Sequence, residues 1–138
     1  MKQIPVLVVI LLTVSLILLI GMSGTGLSVD VVLDEHYYPY SLGHVSITLR
    51  NGWWGRSVDI KEINLTIESL NALKWEISNY TASLSPGATM SISANLTIQE
   101  WRLGQFSYNL TVFYSQSTFL WFGSTESQQI VNGTITVG

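Results

Sequence analysis

The sequence predicts an all-β protein: an antiparallel two-sheet sandwich of about seven strands, preceded by one hydrophobic N-terminal helix. Three observations carry this. Between residues 27 and 138, apolar residues recur at every second position, the period of a strand with one buried face. Turn residues such as Pro39, Gly43, Asn51-Gly52 and Pro86-Gly87 interrupt these runs. Ahead of them, Ile4 to Met22 is a 19-residue run without a charge.

That run has two readings. A helix crossing ~30 Å of hydrocarbon needs about 17–25 apolar residues, and residues 4–22 meet that at the short end. A cleaved signal peptide has a shorter apolar stretch and an Ala-X-Ala-like site. Here only Gly21-Met22-Ser23-Gly24 offers a passable cut. Residues 1–22 are therefore expected to be a transmembrane anchor or a signal peptide. Residues 23–26 are a flexible linker and 27–138 one extracellular domain. Lys2 before the run and Asp30, Asp34 and Glu35 beyond it agree with positive-inside orientation. The expected location is the cell membrane with the domain outside, or the cell surface or medium if the N-terminus is cut.

The strands follow in order. Leu27 to Leu33 is the first. After the Pro39–Gly43 turn, His44 to Arg50 places Val45, Ile47 and Leu49 on one face. Val58 to Ile67 alternates in two phases, with Val58 and Ile60 in one and Ile63, Leu65 and Ile67 in the other. Charged Lys61 and Glu62 mark the slip, which predicts a β-bulge. Leu73 to Ile77 is short, with Trp75 and Ile77 inward. Met90 to Ile98 has the cleanest alternation, followed by Phe106 to Tyr114. A last strand covers about Gln128 to Val137. Such a series matches a sandwich of immunoglobulin-like type.

Five Asn-X-Thr sequons stand out, at Asn64, Asn79, Asn95, Asn109 and Asn132, out of seven Asn in the chain. Roughly one or two would arise by chance. They point to glycosylation outside the cytoplasm. Alternation puts Asn64, Asn95, Asn109 and Asn132 on polar strand faces, and Asn79 at a strand end. The chain has no Cys, so its core must form without disulfides. Five sequons without Cys lean towards an archaeal cell surface.

Composition narrows the function classes. Residues 27–138 hold five Lys+Arg and nine Asp+Glu, a balance of −4, and nucleic-acid binding needs a basic patch. Asp34-Glu35-His36 with His44 is the one cluster of metal-ligand types. Neighbouring strand residues face opposite ways, so at most two of them converge, and a solvated strand end is expected. A blue-copper site needs a thiolate that this chain lacks. Neither a Gly-X-Ser-X-Gly elbow nor a placed carboxylate pair is present. No catalytic residue, metal or cofactor is expected.

The aromatics suggest contact instead. Trp75 is expected in the core, and Trp101 over one end of it. Trp53, Trp54, Phe119, Leu120, Trp121 and Phe122 form two dense apolar stretches near turns. One reading folds part of each onto the core. The other makes them a contact surface for a protein partner, a second copy, lipid or a sugar ring.

Residues 37–112 resemble the CARDB-type immunoglobulin-like domains of archaeal cell-surface proteins. The matching features are Pro39 and Gly43, the segment Val45-Ser46-Ile47-Thr48-Leu49-Arg50-Asn51, Ser83-Leu84-Ser85-Pro86-Gly87, and Leu103-Gly104-Gln105-Phe106. The Gly52-Trp53-Trp54-Gly55 insert and the Phe119–Phe122 run depart from that pattern. The resemblance implies an adhesion or assembly module without catalytic residues. The expected role is a structural or adhesive glycoprotein of an envelope assembly. The alternatives are a carbohydrate-binding module and an accessory single-pass subunit docked through residues 4–22.

Overall fold

The computed structural model describes residues 26–53, 56–77, 82–117 and 123–138. The helix expected over residues 4–22 lies outside them. Among the described residues no helix is long and apolar enough to cross a membrane.

Eight strands form: β1 (Leu27–Leu33), β2 (Gly43–Asn51), β3 (Val58–Ile67), β4 (Leu73–Ile77), β5 (Ser83–Leu84), β6 (Thr89–Ile98), β7 (Gly104–Ser117) and β8 (Ser124–Val137). They make two four-stranded antiparallel sheets. One has the order β1-β2-β6-β4, the other β5-β3-β7-β8. The eighth strand is β5, two residues pairing with Val58 and Asp59. It is too short to show a period.

Alternation sets the core. Val45, Ile47, Leu49, Ile92, Leu96 and Ile98 face inward from the first sheet, and Val58, Ile63, Leu110, Val112, Ile135 and Val137 from the second. Fully burying each such side chain contributes about 1.5–3 kcal/mol. The bulge falls where the phase slips, with the β3–β7 register shifting between Ile60 and Glu62. The extra residue, Lys61, lets Ile60 and Ile63 both point inward although they are three apart. Ser85-Pro86-Gly87-Ala88 is a tight turn, with the Ala88 N–H donating to the Ser85 carbonyl at 2.9 Å. Its φ of 77° at Gly87 is the value that favours glycine after proline.

Where the chain leaves one sheet for the other, polar groups need partners. Asn51 ends β2 and is fully buried. Its Nδ2 donates to the Arg56 carbonyl at 2.7 Å and the Leu84 carbonyl at 3.0 Å. Its Oδ1 accepts from the Trp53 N–H at 3.0 Å. Its backbone closes onto Ala88 and Gly87 at 3.0 and 2.8 Å. Asn51 thus ties the β2–β3 crossing and β5 through its carboxamide and the β5–β6 turn through its backbone. Tyr37 does comparable work at the other end. Its N–H donates to the Thr136 carbonyl and its carbonyl accepts from Gly138. Its hydroxyl donates to the His44 carbonyl at 2.7 Å and accepts from the Asp34 N–H at 3.0 Å. The ring lies against Gly43, where any Cβ would come within 2.3 Å of it.

Asn51→Ala should leave the Leu84 carbonyl buried and unpaired, at about 1–3 kcal/mol, while the part-buried Arg56 carbonyl and Trp53 N–H lose a partner that water replaces only in part. A stability loss of about 2–4 kcal/mol is expected in thermal or denaturant unfolding. Exposed Asn71→Ala should stay within about 0.5 kcal/mol of the parent.

Candidate functional site

The sequon asparagines separate by sheet. Asn64 on β3, Asn109 on β7 and Asn132 on β8 are exposed on the outer face of the β5-β3-β7-β8 sheet. Asn109 stands directly across from Asn132, and Thr66 from Asn109. Three acceptors therefore crowd one patch of one face. Asn95, half-buried on β6, lies on the outer face of the other sheet between His44 and Glu76. Asn79 falls outside the described residues.

The aromatics divide differently. Trp75 is half-buried against the core, and its Nε1 donates to the Ile63 carbonyl at 3.1 Å, bridging the two sheets. It walls an open cleft of about 190 Å³ with Glu62, Ile63, Asn64 and Ile77. Trp53 is half-buried and packs on the core. Gly26 faces its indole, and the Arg56 guanidinium lies 5.0 Å from the ring centre. Trp54, Phe119, Leu120, Trp121 and Phe122 lie outside the described residues.

Trp101 corrects the sequence expectation. It does not cover the core but is 78% exposed. The cause is local. Glu100 accepts from the Asn71 and Ala72 N–H groups at 2.8 and 2.7 Å, and Arg102 donates to the Ser69 carbonyl. Both neighbours are fastened to the β3–β4 loop, so Trp101 between them is turned outward. The Tyr40 ring meets it at 5.4 Å with a 49° tilt. Tyr40 has φ of 61°, an outlier for a bulky side chain, and its N–H donates to the Ile98 carbonyl at 2.7 Å. Tyr38, Leu42 and Leu103 are also more than half exposed. Two adjoining loops, 34–42 and 99–103, thus display five large apolar side chains. Sequence reading missed this surface. Its signal was the density of rings in Tyr37-Tyr38-Pro39-Tyr40, inside a segment read only as a turn.

This end is opposite the point where the chain enters the domain. Leu27 pairs with Asn51, and the Gly52 N–H donates to the Gly26 carbonyl at 2.8 Å. Residue 26, residues 51–53 and 56–57, the 85–88 turn and the paired ends Ser117 and Ser124 share the entry end. The exposed aromatic loops occupy the other.

The acidic and His residues disperse. Asp34 Oδ2 accepts from the His44 backbone N–H at 2.7 Å, while Glu35 pairs with His36 at 3.9 Å on the surface. Among the described residues no group of three or more His, Asp or Glu converges.

No family model matches the chain, and no curated protein does. Solved structures are similar in fold. The CARDB domain of a Pyrococcus furiosus protein, solved in complex with di-metal ions, is 18% identical with a TM-score of 0.50. That match covers 84% of this chain and 90% of that one. A FixG-related protein from Vibrio parahaemolyticus is 13% identical, with a TM-score of 0.44 over 80% of this chain and 95% of that one. A PapD-like domain of human CEP192 is 9% identical, with a TM-score of 0.43 over 83% and 88%. At these identities the likeness is one of fold: an immunoglobulin-like β-sandwich.

Burial pushes the Tyr37 hydroxyl up from 10.0 to about 12 and raises that of Tyr108 as well. The folded state holds the neutral phenol. The stabilisation is therefore complete below pH 10 and is lost as pH rises from about 10 to about 12. Unfolding midpoints should fall through that window, and Tyr37→Phe should flatten the fall measurably.

Proposed function

We propose that this chain is a cell-surface contact protein, a structural or adhesive subunit that acts by binding. The observation that carries the reading is the set of Tyr38, Tyr40, Leu42, Trp101 and Leu103, exposed at the end opposite residue 26. Exposing large rings to water is unfavourable, and contiguous apolar patches of this kind mark interaction surfaces. Backbone strain at Tyr40 adds support, since sparsely populated conformations of this sort cost about 1–3 kcal/mol and cluster at functional sites.

In this reading residues 4–22 hold the chain in the membrane and the aromatic end points away from it, towards a protein partner. Trp53 then belongs to the membrane-facing end, where aromatic side chains favour the lipid interface. The sequons carry glycans, with Asn64, Asn109 and Asn132 covering one sheet face. Membership of the archaeal CARDB-type surface domains fits both the fold likeness and the sequence resemblance. The Tyr40–Trp101 pair also favours a second reading, in which an exposed sugar ring stacks on Trp101.

Tyr40→Ala with Trp101→Ala removes exposed rings and should leave the unfolding midpoint nearly unchanged. Its partner affinity, measured with the partner cross-linked and purified from native membranes, should drop at least roughly thirtyfold, as for a binding hot spot. Undiminished affinity removes the aromatic end from the interface. Saturable quenching of Trp fluorescence by polysaccharide, lost in the same variant, would select the sugar reading.

Peptide mass spectrometry of native material should find added glycan mass at Asn64, Asn79, Asn95, Asn109 and Asn132. Bare asparagines throughout would remove the glycoprotein reading.

A further inference from the structure

The β-sandwich has one long unprotected edge. β8 ends its sheet, and among the described residues no strand pairs with its outer side over residues 124–135. β1 lies close to part of β8 without pairing with it, and the C-terminal tip is bonded: Tyr37 donates to the Thr136 carbonyl at 2.9 Å and accepts from the Gly138 N–H at 2.7 Å. Those two bonds fix the parity of the strand. Even-numbered residues turn their N–H and C=O away from β7, and the β7–β8 register runs unshifted to Ser124. Ser124, Glu126, Gln128, Ile130, Asn132 and Thr134 therefore present a row of main-chain donors and acceptors at the open edge.

Proteins blunt such edges with charges, proline or short strands. The other edges here follow that rule. β4 is five residues long and carries Lys74 and Glu76, paired at 3.3 Å. β5 has two residues, and β1 has seven with Asp30 among them. β8 is fourteen residues long, contains no proline, and carries Glu126 as its one charge. Its first half, Ser124 to Ile130, is also exposed on both faces, so these residues are open to an approaching strand.

We propose that this edge is a self-association site, where β8 of one chain pairs antiparallel with β8 of a second copy. A two-fold axis near Gln128 makes the edge its own complement, each outward donor meeting the partner's acceptor. An axis at any of residues 127–129 sets Glu126 opposite an uncharged residue, so the single charge does not oppose itself. A partner strand rich in charge or proline has no counterpart on this edge, whereas the uncharged, β-capable sequence of β8 itself fits it. The proposal rests on edge geometry and not on the aromatic end.

The test uses the full chain in mild detergent. Sedimentation should give a dimer. Gln128→Pro removes an outward N–H and leaves the β7 ladder whole. Each copy loses a seam hydrogen bond, and the dissociation constant should rise roughly tenfold or more. Gln128→Glu with Ile130→Glu, which for an axis at any of residues 127–129 sets carboxylates opposite one another or opposite Glu126 at the seam, should do the same if the proline variant folds poorly. Because the chain has no Cys, a single introduced thiol reports contact without ambiguity. Under mild oxidation at least one of Ser127→Cys, Gln128→Cys and Gln129→Cys should give a disulfide-linked dimer. Ser46→Cys, on the other sheet, should not. A monomer overturns the proposal and leaves a foreign strand as the occupant. A dimer that cross-links at none of the three positions, as association through residues 4–22 would give, overturns it too. Tyr40→Ala with Trp101→Ala should leave this dimer intact, which separates its fate from that of the aromatic end.

Discussion

The side-chain amide of Asn51 is the constraint on which the entry end of this sandwich depends. A chain that builds two sheets around one core must leave its ladder at each crossing, and the main-chain groups there lose their partners in a dry environment. Asn51 meets that demand with one acceptor and two donors. It fixes where β2 stops, where β5 lies and how the Pro86-Gly87 turn closes. An apolar residue would satisfy the core and strand the carbonyls; a charged one would cost more in desolvation than it gained. The same chemistry explains why Asn51 differs from the sequon asparagines described on strand faces, of which three are exposed, Asn95 is half-buried and none is fully buried.

At the opposite end the solution is a tyrosine. Tyr37 bonds to β8 through its backbone and to the start of β2 through its hydroxyl, so both sheets are held where loops 34–42 and 99–103 emerge. With Glu100 and Arg102 also fastened to the β3–β4 loop, those loops are rigid enough to keep large rings in water. A flexible loop would fold Tyr40 and Trp101 onto the nearest apolar surface. Rigidity is therefore the condition for display, and it would lower the entropy lost in the binding proposed for these loops.

The sheets were legible in the sequence because a period of two survives every local disturbance but one. Even that one, the phase slip at Lys61, announced itself by charges at adjacent positions. β5 was not legible, because two residues carry no period and its pairing is set by Asn51 from far along the chain. The end loops were harder for a physical reason. Whether Trp101 covers the core or leaves it depends on where Glu100 and Arg102 find partners. Those partners, Asn71, Ala72 and Ser69, are brought near only by the complete fold. The sequence pattern marks Trp101 as apolar and near a turn, which suits either outcome.

Strand geometry would let the surface of the second sheet serve both proposed purposes. Side chains stand perpendicular to a sheet, while main-chain donors and acceptors lie in its plane. Glycans on Asn64, Asn109 and Asn132 would occupy the space above the face without blocking the edge of β8 between Ser124 and Ile130. They would also prevent another sheet from stacking on that face. What remains open is growth within the plane, strand beside strand, along the edge that charge and proline leave unguarded. Glycan cover on the face and openness at the edge would thus favour an ordered seam over unspecific aggregation.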